Sequence, residues 1–254
     1  MSNRLLSHVP RVLLMAAALF AAPCQALDTA TLSSLYLSSD FYTGLMQQVS
    51  KPTLAAGQRS VLGKVGPPPR TTMRDGMTET MTANLNYQPL DGISRTLRQQ
   101  IATKVARADP GQAPQIRSAL ASDSIWQQFN TVMGDSGYDV RNIADVMASY
   151  YVAGWEIVNR KMAQPGFASA ARMQIVWSLK RSPEIMFLSD AEKQRSAEAL
   201  GIMTTVSTIG SRLLAQQNDP IGAVTLQEMV YQSFLQQGVD LKRVTLGRSG
   251  FVAN

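Results

Sequence analysis

The chain has a single histidine and a single cysteine, the residue types that form disulfides and build most zinc and haem sites. Its only histidine, His8, and its only cysteine, Cys24, lie in a segment with the three parts of an export signal. A mature chain cleaved behind that segment has neither residue. It therefore cannot form disulfides, use an imidazole base or a thiolate nucleophile, or bind zinc or haem through His or Cys. The mature fold must be stabilised by packing alone.

The first 26 residues are predicted to be a signal peptide. A basic stretch with Arg4 and Arg11 precedes an apolar run over residues 12–22, and small residues lead to a cleavage site after Ala26. The run is too short to span a bilayer, and no later segment approaches the roughly 20 apolar residues that a transmembrane helix needs. We therefore expect a periplasmic or secreted protein with no transmembrane segment in the mature chain.

A second processing route is open at Cys24. In a lipoprotein this cysteine would become the lipid-carrying first residue, but Pro23 stands where that processing favours a small, flexible residue. We therefore favour cleavage after Ala26. The mature chain then has 228 residues, enough for one domain with a sizeable core or for two small ones.

The mature chain has a mild positive charge. Without Arg4 and Arg11, 22 basic residues face 18 acidic ones, and no run of five or more like charges occurs. Such a charge could attract anionic phospholipid, cell-wall polymer or nucleic acid. An ordinary solvated surface explains the scattered pattern better, so we expect no nucleic-acid partner.

Composition divides the mature chain into three parts. Residues 27–50 carry apolar residues at loosely helical spacing and are predicted to form an N-terminal helix. Residues 51–89 are rich in Gly, Pro, Thr and Met without a sustained period, which is typical of a flexible linker. Residues 90–254 are predicted to form a compact multi-helix domain, so the fold class is all-α. Its tail, residues 239–252, alternates weakly and is compatible with a short strand or an extended strap.

Capping signals predict where several helices begin. Asp139 is expected to open the strongest amphipathic helix, and capping boxes at residues 189–192 and 225–228 are expected to open two more. Gly201 and Gly210 would let a neighbouring helix approach closely. Further caps are expected at Asp109 and at Ser122 or Asp123.

The loop at residues 134–137, Gly-Asp-Ser-Gly, has the sequence found around the nucleophile of trypsin-like serine proteases. The mature chain has no histidine to activate that serine, so a helix-terminating turn is the favoured interpretation. Oxygen ligands in Asp135, Asp139 and Asn142 suggest calcium. However, the third, sixth and twelfth positions of a calcium loop would be Gly, Val and Val, which is a poor match. We expect no metal site.

Carboxylates could still support hydrolysis of cell-wall glycans. Asp145 and Glu156 would lie about 16 Å apart along one helix, which is too far for a glycosidase pair at about 5 to 10 Å. A lone glutamate with a raised pKa would suffice, and Glu156 and Glu184 are the two candidates. Exposed or helix-capping carboxylates explain both better, so no catalytic, cofactor-binding or metal-binding residue is assigned.

Four aromatic residues could line a groove for sugar or peptide: Tyr150, Tyr151, Trp155 and Trp177. At helical spacing such residues are more often part of the core. No glycine-rich phosphate loop occurs in the sequence, so no nucleotide cofactor is expected.

The last 160 residues or so resemble a family of exported proteobacterial proteins described only as a domain of unknown function. The residues that carry the resemblance are Gly137-Tyr138, Asn142-Ile143-Ala144-Asp145, Tyr151, Trp155, Ser189-Asp190-Ala191, Gln194, Ala197-Glu198-Ala199-Leu200, Gly238-Val239-Asp240-Leu241 and Gly250-Phe251. The resemblance implies a secreted, mostly helical domain. It implies no activity, cofactor or catalytic residue.

The sequence therefore favours a non-catalytic binding or structural module that acts on a protein or another cell-envelope component. An exposed apolar or basic groove without converging acids would be its distinguishing feature. Two alternatives are a peptidoglycan hydrolase that uses a single carboxylate and a peripheral membrane-surface protein.

Overall fold

The structure is a computed structural model that describes residues 35–63 and 83–254, except 109, 112, 122, 123 and 136. The described helices are α1 (Ser39–Met46), α2 (Lys51–Val61), α3 (Asp91–Ala108), α4 (Ala113–Ala121), α5 (Ser124–Asp135), α6 (Ile143–Asn159), α7 (Pro165–Lys180), α8 (Pro183–Met186), α9 (Asp190–Gln216) and α10 (Pro220–Gln236). A 3-10 helix (Leu241–Arg243) then leads into β1 (Val244–Gly247) and β2 (Gly250–Ala253). The predicted all-α class is confirmed, with one two-stranded sheet among the described residues.

The signal peptide predicted for residues 1–26 lies outside the described residues. So do the caps predicted at Asp109 and at Ser122 or Asp123. The helix predicted for residues 27–50 is interrupted in its described part: residues 35 and 36 are helical, and α1 begins after the Ser38 cap and ends at Met46. None of the helices in the described ranges combines the length and the apolar character that a membrane crossing requires.

The centre of the core is the packing of α6 against α9. The amphipathic face predicted for α6 is buried, and close approach at Gly201 and Gly210 is confirmed. A Cβ at Gly201 would lie 2.6 Å from the ring of Trp126, and one at Gly210 would lie 2.5 Å from that of Tyr36. Both glycines are therefore places where only a hydrogen fits between α9 and a neighbouring aromatic ring.

The flexible linker predicted from residue 51 onward is wrong over residues 51–61, which form α2. Ser50 caps this helix by accepting a hydrogen bond from the Thr53 amide, and Pro52 lies in its first turn. The buried face consists mainly of small side chains, including Ala56 and Gly57. A Cβ at Gly57 would lie 2.6 Å from the sulfur of Met147. Small residues permit this close packing but produce no pattern of large apolar residues that would predict it.

The end of the predicted linker is also ordered, as an extended segment over residues 83–90. The Ala83 amide donates to the Lys180 carbonyl, and the Tyr87 amide donates to that of Arg141. Asn86 and Asn142 form an isolated antiparallel bridge. The rest of the predicted linker, residues 64–82, lies outside the described residues.

Two of the predicted helix starts are displaced. α6 is capped by Asn142, whose Oδ1 accepts from the amides of Ala144 and Asp145, instead of by Asp139. α10 is capped by Asp219, and its first helical residue is Pro220, so Thr225 lies inside the helix. In both cases another Asx residue offers a side-chain acceptor at the helix start. The capping box at residues 189–192 is confirmed at the start of α9.

Candidate functional site

The C-terminal hairpin is held to the body of the protein by side chains of α6. Trp155 donates from Nε1 to the Val244 carbonyl at 2.8 Å, and Asn159 donates from Nδ2 to the Leu241 carbonyl at 3.2 Å. The tail is therefore a hairpin. The sequence predicted a short strand or an extended strap here, so the extended backbone was expected. The pairing of two strands, in which Leu246 lies opposite Phe251, was not.

The chain turns back on itself after α6. Arg160 adopts the left-handed conformation at the end of the helix, with φ +50°. The Lys161 amide donates to the Glu156 carbonyl, and the Ala163 amide donates to the Glu156 side chain at 2.8 Å. These bonds fix residues 160–164 as a loop that ends where α7 begins.

A cleft of about 600 Å³ lies between this loop, the start of α7 and strand β1. This volume falls within the range of small-molecule binding sites, about 300 to 1,000 Å³. The apolar part of the lining is formed by Trp155, Met162, Phe167, Val244 and Leu246. Met162 is 68% exposed, so the cleft offers an apolar surface to a molecule that enters it.

The polar part of the lining contains amides, a hydroxyl and two lysines. Lys161 is exposed and forms no ion pair with any described residue. Lys242 also lines the cleft, but its Nζ lies 3.7 Å from a Glu228 oxygen and over the ring of Tyr231. No aspartate or glutamate side chain of a described residue lines the cleft. The charged side chains of the described lining are therefore all basic.

Glu156, one of the two predicted candidate acids, lies next to the cleft in sequence but does not line it. Burial raises the pKa of Glu156, while its hydrogen bond from the Ala163 amide and the nearby charge of Arg212 act in the opposite direction. The carboxylate is therefore engaged in holding the loop after α6 against the helix.

Glu184, the other candidate, lies on a different surface. Its Oε2 is 3.2 Å from an Arg59 nitrogen, and its side chain is about half exposed. This is an ordinary surface ion pair between α8 and α2. The structure therefore does not bring Glu184 together with Glu156, and neither residue lies in the cleft.

Asp145 forms an ion pair that the sequence did not predict. Both of its oxygens accept from Arg172 at 2.7 Å, and Oδ2 also accepts from the Asp139 amide at 2.9 Å. Arg172 in turn lies over the ring of Tyr138. The bidentate pair joins α6, α7 and the turn before α6. Its two members are 27 residues apart, so no local pattern could indicate it.

A second unpredicted network joins α3, α9 and the extended segment before α3. The buried Glu198 carboxylate accepts from Ser94 at 2.5 Å and from Gln194 at 2.9 Å. Gln194 also accepts from the Leu90 amide and donates to the Leu90 carbonyl. In the sequence, only the four-residue spacing of Gln194 and Glu198 could have indicated this network, because residues four apart share a helix face.

The predicted aromatic residues are mostly core residues. Tyr150 and Tyr151 are buried against Phe234 of α10. Trp155 is also buried and contributes to the cleft wall, whereas Trp177 is half-buried beneath the guanidinium of Arg181. Of the four aromatic residues, Trp155 alone lines the cleft.

In the loop at residues 134–137, Ser136 lies outside the described residues. Gly137 has φ +72°, and its amide donates to the Gly134 carbonyl. The Asp139 and Asn142 side chains accept from backbone amides. No group of three or more acidic, histidine or cysteine residues within the described ranges could hold a metal ion.

The sequence matches one family model over residues 9–254. No curated protein and no solved structure matches the chain. Since the matched range covers nearly the whole chain, the protein belongs to the family of unknown function DUF6683.

Proposed function

We propose that this protein is an exported, non-catalytic binding module of the cell envelope, and that the cleft beside the hairpin is its binding site. The observation that carries the proposal is the lining of this cleft: apolar side chains, amides, a hydroxyl and two lysines, with no acidic side chain of a described residue among them. Binding of a partially apolar ligand needs such a surface, whereas glycan hydrolysis needs a carboxylate at the reacting bond.

The rigid frame of the cleft also supports a binding role. One wall is the hairpin, held by Trp155 and Asn159. The opposite wall is the loop after α6, which Glu156 fixes through the Ala163 amide. A site whose walls are fixed before the ligand arrives loses less conformational entropy on binding.

Site-specific photo-crosslinking in intact cells tests this proposal. A benzophenone amino acid is placed at position 162, which lines the cleft, or at position 173, which lies on α7 outside it. Met162 and Met173 are matched in residue type and in exposure, at 68% and 67%. We expect mass spectrometry to find a discrete adduct at position 162 and none at 173. The same adducts at both positions, or no adduct at 162, would overturn the proposal.

The hydrolase alternative rests on the raised pKa of Glu156. Zymography against peptidoglycan distinguishes it from the proposed function. We expect no clearing by the wild-type chain, because Glu156 is bonded to the loop and does not line the cleft. A clearing band that is lost in Glu156→Gln and retained in Glu184→Gln would overturn the non-catalytic assignment.

The membrane-surface alternative rests on the mild positive charge. Co-sedimentation with vesicles of phosphatidylglycerol and phosphatidylethanolamine tests it at low and high salt. We expect no sedimentation with vesicles at physiological ionic strength, because the basic residues are scattered along the sequence with no run of five or more. Binding that disappears at high salt would favour the membrane-surface role.

A further inference from the structure

The hairpin has two outer edges, and its register shows which backbone groups lie on them. The Asn254 amide donates to the Arg243 carbonyl, so residues 243 and 254 form a hydrogen-bonded pair. Hydrogen-bonded and non-hydrogen-bonded pairs alternate along an antiparallel ladder. The pairs Val244–Ala253 and Leu246–Phe251 are therefore the non-hydrogen-bonded ones. Their N–H and C=O groups point away from the partner strand.

The outer edge of β2 is occupied by a side chain. The Phe251 amide donates to Oε1 of Gln174 at 2.7 Å, and Nε2 of Gln174 donates to the Phe251 carbonyl at 2.9 Å. These are the two bonds that a residue of a third strand would make at this position. The Gln174 amide thus closes the β2 edge at Phe251, whereas Ala253, the other outward-facing residue of β2, is exposed and does not line the cleft.

The outer edge of β1 is closed at one residue and open at the next. The Val244 carbonyl accepts from Trp155, and the Val244 amide donates to the Leu241 carbonyl. Among the described residues, none donates to or accepts from the outward-facing groups of Leu246. Leu246 is 4% exposed, its side chain is in the core, and the residue lines the cleft. A backbone donor and acceptor with no partner among the described residues therefore belong to a residue of the cleft lining.

We propose that the cleft binds an extended, acidic peptide segment that adds a strand to the outer edge of β1 at Leu246. This inference rests on the proposed binding function and names the chemistry of the ligand. In an extended peptide, the N–H and C=O of one residue point to the same side, and those of every second residue do so again. This arrangement matches the N–H and C=O of Leu246. A lipid chain has no such pair, and an N-acetylated glycan carries its N–H and C=O on side groups instead of along an extended backbone.

The charge and shape of the cleft define the side chains of this peptide. Lys161 has no ion-pair partner among the described residues, and no acidic side chain lines the cleft. A carboxylate on the peptide supplies the missing charge. Because side chains alternate along a strand, the neighbouring positions face the apolar surface of Met162 and Phe167 or point to solvent. β1 has only four residues, so recognition involves a short segment.

A random library of end-blocked hexapeptides tests this inference on the intact mature chain. Peptides are selected on the wild-type protein alone, and the enriched peptides are then measured on the Met162→Asp variant. We expect enriched peptides to carry an aspartate or glutamate flanked by apolar residues. Their affinity should fall about tenfold in Lys161→Glu, because attraction becomes repulsion. Selection of basic peptides, or equal binding to the Met162→Asp variant, would overturn the proposal.

Backbone methylation of a selected peptide tests the strand pairing without changing the protein. N-methyl groups are placed on the odd-numbered or on the even-numbered amides. Since every second amide of an added strand faces β1, we expect one pattern to lower the affinity at least about tenfold and the other to leave it nearly unchanged. Equal effects of the two patterns would overturn edge pairing. Hydrogen exchange gives a second readout, because the Leu246 amide should become protected on binding while the Phe251 amide stays protected throughout.

The two proposals fail in distinguishable ways. An adduct at position 162 in cells, together with no enriched peptide, would mean that the cleft binds a ligand of another class, and the peptide inference would be wrong. Capture of anionic glycan fragments or vesicles at position 162 would also contradict the peptide inference. No adduct at position 162 and no enriched peptide would overturn both proposals.

Discussion

The two ends of α6 use polar side chains differently. At the N-terminal end, Asp145 is buried and accepts from Arg172 and from the Asp139 amide, so the surrounding segments close over it. At the C-terminal end, Trp155 and Glu156 bond to the hairpin and to the following loop, and a cleft remains between those two segments. One helix thus closes the core at one end and frames an opening at the other.

The difference is also electrostatic. The acid at the N-terminal end is matched by a guanidinium that forms two short hydrogen bonds with it. At the C-terminal end the carboxylate is bonded to a backbone amide, and Lys161 of the cleft has no ion-pair partner among the described residues. A fully paired site contributes to stability, whereas a site with unmatched charge can select a ligand.

Removal of the buried carboxylate should have the largest effect. We expect Asp145→Ala to lower the free energy of unfolding by about 3 kcal/mol, because Arg172 and the Asp139 amide both lose their acceptor. Urea denaturation followed by circular dichroism measures the loss. Glu184→Gln is the control, since an exposed ion pair contributes at most about 1 kcal/mol. Equal losses in the two variants would mean that the Asp145 ion pair stabilises the fold no more than a surface pair does, which would contradict the comparison of the two ends of α6.

The hairpin bond at the other end should contribute less. Trp155→Phe keeps an aromatic ring in the core but leaves the Val244 carbonyl without its donor. We expect a loss of about 1 to 2 kcal/mol and faster amide exchange in β1 and β2. Exchange followed by mass spectrometry checks this, with α3 as the internal reference. If exchange accelerated equally in α3 and in the hairpin, Trp155 would be a general core residue and not the attachment of this wall.

The pH dependence of the free energy of unfolding should show whether Glu156, the carboxylate next to the cleft, has a raised pKa in the folded state. Burial raises the pKa of Glu156 in the folded state, so its contribution to stability is fullest below the ordinary value of 4.5 and declines as the pH rises. Glu156→Gln does not titrate. Its stability relative to wild type should therefore increase between pH 4 and pH 7, as measured by urea denaturation at each pH.

Glu192 provides a control of opposite sign. Hydrogen bonds from the Ser189 side chain and backbone lower the pKa of Glu192, so its contribution is present above 4.5 and is lost as the pH falls. The stability of Glu192→Gln relative to wild type should therefore decrease between pH 4 and pH 7. Parallel trends in the two variants would contradict the assigned environments.

The smallest effect is expected from the two exposed methionines. Met162→Asp and Met173→Asp should each change the free energy of unfolding by less than about 0.5 kcal/mol, because both side chains are about two-thirds exposed. Thermal denaturation of the two variants is the measurement. A large loss in Met162→Asp alone would make the residue part of the core and would weaken the comparison of binding between the variants.

The sequence predicted the features that depend on large apolar residues and on local capping. The helical class, the capping box at residues 189–192 and the close packing at Gly201 and Gly210 are of this kind. α2 was missed because Ala56, Gly57 and their small neighbours produce no apolar period. Helix α10 was placed too late because the box at residues 225–228 was a stronger local signal than Asp219.

The candidate site was less accessible to sequence reasoning. Its lining comes from residues 155–167 and 242–254, which meet only after the hairpin docks on α6. Glu156 was named as a candidate acid, with an exposed or helix-capping role favoured, but its partner is a backbone amide, and sequence patterns do not show which amide a side chain reaches. Trp155 was identified as either a core or a groove residue, and its position at the cleft wall combines the two.

The small-residue face of α2 has a consequence for how this protein tolerates mutation. A Cβ at Gly57 would meet Met147 and Tyr151 at less than 3 Å, and Ala56 is fully buried. In a saturation library, these positions should therefore reject most larger side chains, although their composition resembles that of a tether. Shortening the chain through this segment would remove part of the core wall instead of spare length.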